Sequence, residues 1–401
     1  MTAGPPNVAP METTLTRTEL PAELLERFRL RAAELDRNNA YFEQDLADLR
    51  GAGYLAAVVP AEFGGWGLTL AEFAASQRRL AAHAPATALA MTMHSYWVGI
   101  AVELYRAGDT SLQWIIEAAA AGQVFAAGHA EAGNDIPVLL STCQAERVEG
   151  GYRLTGRKQF GSNGPAWNWL GAHAMDMSAP GGPQVVHAFV ERGSAGATVV
   201  ETWDTLGMRP TQSHDTVLDG VFVPDARIGR VVPAGDGSDL FVVAMGIWPL
   251  SLIAAVYLGI ADRAIELAVA GAQRKTSIAI DRGTYAHNPF VQHQLAEMYL
   301  RREAAAATLE RYVADWVAGA DHGLEWAPKT YATKWIVVEA AKRVVDVALD
   351  VVGGGAMFAG HELERLYRDV RCGGFHPGND ALTHELVGKA MLGLLGEQPR
   401  W

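Results

Sequence analysis

The spacing of hydrophobic positions changes twice along the chain and predicts three zones. From about residue 20 to 122, Ala, Leu and Glu recur at the three- and four-residue spacing of amphipathic helices. From about 124 to 232, apolar and polar residues alternate in short stretches bounded by Gly, Pro, Asn and Asp, which is typical of strands and turns. Helical spacing returns after Pro233. We therefore predict an α+β multidomain fold, with a disordered leader (1–18), an N-terminal helical domain (19–122), a middle antiparallel β-barrel or sandwich (123–233) and a C-terminal four-helix bundle (234–401).

Individual segments predict the helices and strands of each zone. The first helix begins after Pro21, a residue tolerated in a first helical turn, and others begin near Thr69 and Ala84. Strands are predicted over 151–158, 185–190 and 216–223. Long helices are predicted over 240–274, 290–318, 329–352 and 381–395, and short connections between four long helices indicate a bundle.

One apolar segment is long enough to cross a bilayer. Residues 240–261 carry no charged side chain. Their flanks lack the Lys/Arg asymmetry that orients a membrane span, and Pro249 interrupts them. We therefore interpret the segment as a helix buried on all sides within the bundle, and expect no membrane span.

Composition narrows the class of protein further. The 401 residues include 33 Lys+Arg against 45 Asp+Glu, a net charge of −12 without a basic run, so nucleic acid is not an expected partner. The two cysteines, Cys143 and Cys372, form no CxxC or Cys/His cluster, so neither a disulfide framework nor a structural zinc site is expected. The N-terminus has no basic start followed by an apolar stretch, which favours a cytoplasmic protein.

Four strings in the chain resemble, in order, those of the acyl-CoA dehydrogenase superfamily of flavoenzymes. They are the loop at 53–65, the strand and turn at 151–164, the segment at 206–224 and the stretch at 353–369 that contains Arg365, Arg368 and Asp369. The resemblance covers about residues 20 to 395. It implies the same three-zone fold, a bound FAD, a small-molecule or acyl-thioester substrate, and a homodimer or homotetramer.

The resemblance also implies roles for individual residues. A loop containing Gly133 and Asn134 would hold the flavin's pyrimidine edge through backbone N–H groups. Phe160 would pack on the isoalloxazine, and the hydroxyl of Ser162 would lie near flavin N5. Arg274 would bind the pyrophosphate, while an ordinary core position for Phe160 and an ordinary helix cap for Arg274 remain alternatives. The remaining implied cofactor-binding residues are Gly353 and Gly354, where a neighbouring subunit approaches the adenine half, and Asn379.

The chain departs from the family at the catalytic base. Acyl-thioester dehydrogenation needs a carboxylate to take the α-proton, but the position of the usual glutamate holds Pro377, and the second known position falls near Pro249. His376 is adjacent to the vacant position, and a histidine there is similar to the flavin monooxygenase branch of the same fold. His94 is a second candidate. Each histidine could equally be structural.

A metal site is a further interpretation of the same region. His376, Asp380 and His384 follow one another at four-residue intervals. Because Pro377 and Gly378 disfavour a helix beginning at His376 and no fourth ligand is evident, we expect no metal.

Three functional hypotheses follow. The first is an acyl-CoA or acyl-carrier dehydrogenase, oxidising a CH–CH bond with a displaced base. The alternative is a reduced-flavin monooxygenase that uses a C4a-peroxyflavin, with His376, His94 and Ser162 near the flavin. The third is a catalytically silent flavin- or acyl-binding scaffold. The retained flavin positions favour the first two, and the absent glutamate counts against the first.

Overall fold

The computed structural model describes residues 19–136, 138–279 and 283–395. The predicted disordered leader, 1–18, lies outside the described residues. Five α-helices precede the first strand, and the strands follow one another up to residue 233. The first group is α1 (Ala22–Arg37), α2 (Glu43–Gly51), α3 (Leu70–Ala81), α4 (Pro85–Arg106) and α5 (Gln113–Ala120). The strands are β1 (Phe125–Gly128), β2 (Gln144–Val148), β3 (Gly151–Gly161), β4 (Trp169–Asp176), β5 (Gln184–Glu191), β6 (Ala197–Val200), β7 (His214–Pro224) and β8 (Ile228–Pro233).

The C-terminal region is helical, as the spacing predicts. It comprises α6 (Leu240–Arg274), α7 (Pro289–Val317), α8 (Trp326–Val352), α9 (Glu362–Arg371) and α10 (Asp380–Leu392). The four long predicted helices are present, but α9 is a fifth that the prediction omitted. It is only ten residues long and rich in charge, so it lacks the long apolar stripe that identified the others.

The middle region is a mixed sheet, and the prediction of an antiparallel barrel is wrong. The strand order is β6-β7-β3-β2-β4-β5-β8, with β1 paired to β4 in parallel. A second parallel pairing joins β2 to β4. Among the described residues, β6 and β8 stand at the two ends of this path and do not pair with each other. Alternation of apolar residues reports which face of a strand is buried, but strand order and closure depend on pairing between distant segments.

Local sequence signals explain several helix boundaries. The side chain of Thr69 accepts a hydrogen bond from the N–H of Glu72, and Glu72 accepts one from the N–H of Thr69, which forms a capping box at the start of α3. Pro85 occupies the first turn of α4, and Asp239 caps α6. These boundaries agree with the predictions to within a few residues.

The apolar helix α6 is a core element. It is the one helix in the described ranges that is long and apolar enough to span a membrane, and 78% of its most apolar window is buried within the protein. Gly99 on α4 allows the ring of Trp248 on α6 to lie against the backbone, since a Cβ at Gly99 would fall within 2.3 Å of that ring. Close packing of this kind explains why the segment carries no charge.

Candidate functional site

The His376 turn, which we define as residues 373–379, joins the end of α9 to the start of α10. Asn379 caps α10, because its Oδ1 accepts a hydrogen bond from the N–H of Leu382 at 2.9 Å. Gly373 lets the turn approach α6, since a Cβ there would lie 2.9 Å from the ring of Tyr257. The turn is therefore fixed at both ends, with His376 between them.

His376 meets a tyrosine rather than an acid. The hydroxyl of Tyr257 lies 2.8 Å from Nε2 of His376. Burial, together with the positive charge of Lys334, lowers the pKa of His376 to about 3, so its imidazole is neutral at pH 7. Burial raises the pKa of Tyr257, so the phenol stays protonated and donates to Nε2. The proton of the neutral imidazole is thereby assigned to Nδ1.

Neither ring of this pair is hydrogen-bonded to a carboxylate within the described ranges. Pro377 occupies an exposed position in the turn. Asp380 accepts a hydrogen bond from Nε1 of Trp335 at 2.9 Å, and Nδ1 of His384 lies 2.8 Å from the carbonyl of Asp380. Within the residues described, no group of three His, Cys, Asp or Glu side chains could hold a metal ion.

Ser162 stands at the end of β3 in a chain of buried hydroxyls. Its Oγ lies 2.8 Å from Oγ of Ser213, which lies 2.7 Å from Oγ1 of Thr211. Thr211 in turn donates to the carbonyl of Met208, whose own N–H donates to buried Asp369 on α9 at 2.5 Å. A continuous path of bonded groups thus links the end of β3 to the helix that leads into the His376 turn.

Phe160 is exposed beside this path. It has a left-handed backbone (φ 56°), its side chain is 58% exposed, and its edge contacts the ring of Trp203. Phe160 is therefore not an ordinary residue of the hydrophobic core. An exposed aromatic ring two residues from a buried hydroxyl is suited to stack on a planar ligand.

A second cluster, which we call the Lys158 cluster, brings together side chains from β3, β4 and β5 and from the loop that follows β1. Its members are Lys158, Glu131, His129, His173 and His187, all buried or nearly so. The ammonium of Lys158 pairs with the carboxylate of Glu131 and lies 3.2 Å from Nδ1 of His173. Burial opposes the charge of Glu131, but the ammonium and hydrogen bonds from the loop outweigh it and lower the pKa of this carboxyl to about 2.

The three histidines of this cluster are neutral, since burial lowers the pKa of each, that of His187 to about 3. The rings of His173 and His187 stack with centroids 5.9 Å apart. Nδ1 of His129 lies 3.2 Å from the hydroxyl of Tyr96, whereas its Nε2 and both ring nitrogens of His187 have no hydrogen-bond partner among the residues that the structure describes. Sequence reasoning did not predict this cluster, because Lys158, His173 and His187 lie on three different strands and His129 and Glu131 lie in the loop after β1.

The loop that Glu131 supports contains two predicted flavin-binding residues. Gly133 is exposed with φ 75°, and Asn134 uses its amide within the loop, donating to Glu131 and to the carbonyl of Leu140. The carbonyl of Ala130 accepts a hydrogen bond from the N–H of Gln159 on β3, which ties the loop to the strand that carries Phe160. The loop and the end of β3 therefore form one unit.

The end of α6, which carries Arg274, lies against the end of α8, which leads into Gly353 and Gly354. Arg274 is exposed and donates to the carbonyl of Ala270. The adjacent Lys275 donates to the carbonyl of Val352, next to Gly353, which has φ 82°. An exposed guanidinium beside open glycine backbone suits an anionic ligand.

His94 stands apart from these groups. Its Nε2 donates to the carbonyl of Leu55 at 2.8 Å, and its Nδ1 accepts from the N–H of Phe125 at 3.3 Å. The side chain is fully buried, and burial lowers its pKa to about 4. Backbone groups bond to both ring nitrogens, so His94 has the structural role that the sequence left open as an alternative to catalysis.

A groove of about 590 Å³ lies elsewhere, between α3, α6 and α7. It is lined by none of the predicted site residues, and its charged side chains are largely paired with one another, as Arg78 is with Asp262. The groove is therefore separate from the candidate site.

Comparison with known proteins gives the same family at both ends of the chain. Residues 12–116 match the acyl-CoA dehydrogenase N-terminal domain, and residues 251–392 match the C-terminal domain. The chain is 31% identical over 375 residues to an amino sugar nitrososynthase of Streptomyces peucetius, covering 89% of each protein. It is 28% identical to a putative acyl-CoA dehydrogenase of Bacillus subtilis, covering 92% of this chain and 94% of that protein.

A solved structure shares the fold over nearly the whole chain. It is that of KijD3 in complex with FMN and dTDP-3-amino-2,3,6-trideoxy-4-keto-3-methyl-D-glucose. The TM-score is 0.84 at 27% sequence identity, and the match covers 94% of this chain and 93% of that one.

Proposed function

The chain belongs to the acyl-CoA dehydrogenase superfamily and is a flavin-dependent oxidoreductase, and from that premise we propose that it is a monooxygenase that adds one oxygen atom to the amine nitrogen of a small polar substrate. The observation that carries the proposal is the Tyr257–His376 pair at the position where a dehydrogenase needs a carboxylate. A neutral imidazole with its proton on Nδ1 is a hydrogen-bond donor, not a base for an unactivated α-proton.

The residues present fit a flavin. The exposed ring of Phe160, the buried hydroxyl of Ser162 and the glycine-containing loop supported by Glu131 offer an apolar face, a hydrogen bond and backbone N–H groups for the ring system. A bound reduced flavin would supply the two electrons that activate O2. The reaction balances as amine plus O2 plus reduced flavin giving hydroxylamine, water and oxidised flavin.

The chain's own residues would then orient the reacting groups and donate hydrogen bonds to them. Tyr257 fixes the tautomer of His376, and the Nδ1–H of His376 donates a hydrogen bond to the oxygen atom that is transferred. Because His376 stays neutral, it adds no positive charge that would repel a protonated amine substrate. His94 takes no part in this scheme because the backbone occupies both of its ring nitrogens.

The packing of the helices also favours a compact substrate. Trp97 lies against Gly171 of β4, and Trp248 lies against Gly99 of α4. Both tryptophans are fully buried. Aromatic side chains thus fill the space between α4 and its neighbours β4 and α6, which leaves little room there for a long acyl chain. The names of the related nitrososynthase and the ligand in the KijD3 structure support an amino sugar, free or nucleotide-linked, as the substrate class.

Acyl-thioester dehydrogenation is the second candidate, supported by the similarity to the putative acyl-CoA dehydrogenase. Anaerobic mixing of the oxidised holoenzyme with a panel of saturated acyl-CoA thioesters separates the two. We expect no bleaching of the flavin by any thioester, and a gain of one oxygen atom by a dTDP-amino sugar when reduced flavin and O2 are supplied. Bleaching by a thioester would overturn the monooxygenase proposal, and turnover of either kind would exclude a silent scaffold.

The role of His376 has a matched control. We expect His376→Gln to lower turnover about 100-fold, the scale of a misplaced hydrogen-bond donor, while flavin stays bound. His384→Gln, in the same segment, changes an exposed histidine and should leave turnover unchanged. Equal turnover in the two variants would remove His376 from the site.

We further propose FAD as the flavin and a dimer or tetramer as the assembly. Arg274, Gly353 and Gly354 stand at the adjoining ends of α6 and α8 and would serve an adenosine diphosphate half, which FMN lacks. Met357 and Phe358, at 78% and 75% exposure, follow these glycines and would be covered by a second copy. Chromatography of the released flavin and light scattering of the holoenzyme test both points; FMN or a monomer would contradict them.

A further inference from the structure

Lys334 on α8 is a buried ammonium whose hydrogen bonds all go to one turn of the chain. Its side chain is 1% exposed. Nζ donates to the carbonyls of Gly373 at 2.8 Å, Gly378 at 3.0 Å and His376 at 3.5 Å. The three acceptors belong to His376 itself and to residues before and after it in the turn.

The charge of Lys334 has no carboxylate partner within the described ranges. The acid that acts on it through space, Glu339, pairs with Lys342 one helical turn further on. Burying an ammonium costs free energy unless other groups solvate it, and here backbone carbonyls at the end of a helical segment do so. Burial lowers the pKa of Lys334 to about 8, so the ammonium persists at pH 7. An apolar residue would avoid this cost, which indicates that the charge has a use at this position.

We propose that Lys334 is the positioning residue of His376: it closes the turn so that the imidazole meets the hydroxyl of Tyr257, and it places an ammonium beside the imidazole. The assignment of a role in turnover to His376 rests on the proposed function. The effect of Lys334 on the position of the imidazole rests on the contacts alone.

The geometry explains how one side chain achieves both effects. Carbonyls of residues 373, 376 and 378 point to a single Nζ, so the backbone on either side of His376 cannot turn away without losing a charge-assisted hydrogen bond. The groups that face His376 from neighbouring elements are the phenol of Tyr257 on α6 and the ammonium of Lys334 on α8. Protonation would therefore place a second cation beside the first in a desolvated space.

Two substitutions separate hydrogen bonding from charge. Lys334→Met removes both, whereas Lys334→Gln keeps N–H donors without the charge. Lys342→Met on the same helix is the control, because that lysine is partly exposed and its side chain pairs with Glu339. Full-length holoenzyme labelled with ring ¹⁵N-histidine reports the tautomer and pKa of His376, whose signals are assigned by their loss in His376→Gln.

In the native protein we expect His376 to be the Nδ1–H tautomer throughout the neutral range. In Lys334→Met we expect mixed tautomers, a pKa of His376 higher by at least about one pH unit, and turnover about 10- to 100-fold lower. Lys334→Gln should raise the pKa of His376 with a smaller change in tautomer, and it serves as the folded variant if Lys334→Met does not fold. Lys342→Met should change neither signal.

Unchanged His376 signals in both Lys334 variants would overturn the proposal, because no loss of position or of charge would then have reached the imidazole. Failure of the proposed function looks different. In that case His376→Gln retains turnover, while Lys334→Met still shifts the tautomer and pKa of His376.

Discussion

Two lysines are buried among the residues that the structure describes, and their surroundings differ. Lys158 on β3 pairs with the carboxylate of Glu131 inside a cluster of three neutral histidines. Lys334 on α8 is bonded to backbone carbonyls only, beside the single histidine His376. Both side chains are 1% exposed.

The comparison shows that a buried lysine can have two different structural effects. In the Lys158 cluster the positive charge is compensated, and the pair fixes the loop at 129–142 through Ser141 and Thr142. In the His376 turn no carboxylate in the described ranges pairs with the ammonium, so its field acts on the neighbouring imidazole. The ion pair of Lys158 with Glu131 stabilises the loop, whereas the unpaired ammonium of Lys334 disfavours protonation of the neighbouring imidazole of His376.

The largest expected effect is on stability in acid, to which the Lys158 cluster contributes most. Folding depresses the pKa of His94 to about 4 and those of His187 and His376 to about 3, and lowers those of His129 and His173 as well. The unfolded chain therefore binds protons below about pH 6.5 where the folded chain does not, and stability is present above that pH and falls below it. The contribution of each of these histidines to the free energy of unfolding falls by about 1.2 kcal/mol between pH 7 and pH 5.5.

Two buried acids offset part of this loss. Burial raises the pKa of Asp45 and of Asp369 to about 6, so the folded state gains protons there as the pH falls. The net loss should be on the order of 5 kcal/mol, measured as the free energy of urea unfolding at the two pH values. Equal stability at pH 7 and pH 5.5 would contradict the neutral buried histidines.

The next effect compares the two lysines directly. We expect Lys158→Met to cost about 3–5 kcal/mol, because it leaves the carboxylate of Glu131 buried without a partner. Lys334→Met should cost less, about 1–2 kcal/mol, since the carbonyls it frees are neutral and a desolvated charge is removed with it. Urea unfolding at pH 7 measures both values.

The paired variant Lys158→Met with Glu131→Gln is the control for this comparison. It should recover a substantial part of the loss in Lys158→Met, because no unpaired charge remains. If Lys334→Met proved the more costly single substitution, the contrast between a compensated and an uncompensated charge would be wrong.

A smaller effect concerns an imidazole that the Lys158 cluster leaves unsatisfied. Both ring nitrogens of His187 are buried without a partner in the described part of the chain, and its ring packs against Phe241. We expect His187→Phe to be neutral or to stabilise the protein by about 1 kcal/mol at pH 7. The same variant should weaken the acid sensitivity, whereas destabilisation by more than about 1 kcal/mol would show that the imidazole has a partner after all.

The smallest effect tests redundancy at the His376 turn. The hydroxyl of Thr383 donates to the carbonyl of Gly378, which also accepts from Lys334. We expect Thr383→Val to cost about 0.5–1 kcal/mol and to leave the His376 signals unchanged, since Lys334 continues to hold the carbonyl. A change in tautomer would assign the positioning role to Thr383.

Much of the fold could be predicted from the chain because its signals are local. Helical spacing, the Thr69 capping box and the Pro85 start are each determined by residues within one or two turns. The short helix α9 was missed because charge dominates it, and the open mixed sheet because parallel pairing of β1 with β4 joins segments 44 residues apart. Of the candidate site, local motifs identified Phe160, Ser162 and His376, but not Tyr257, Lys334 or Lys158.

By itself the sequence determined the class of each zone, the resemblance to a flavoenzyme family and the absence of a glutamate at position 377, since all three are properties of residues close together in the chain. Only the tertiary structure decided what His376 and His94 touch. Tyr257 lies 119 residues before His376 and Lys334 lies 42 residues before it. Their effect on its proton depends on desolvation and on distances between elements, and neither quantity is encoded in a local pattern.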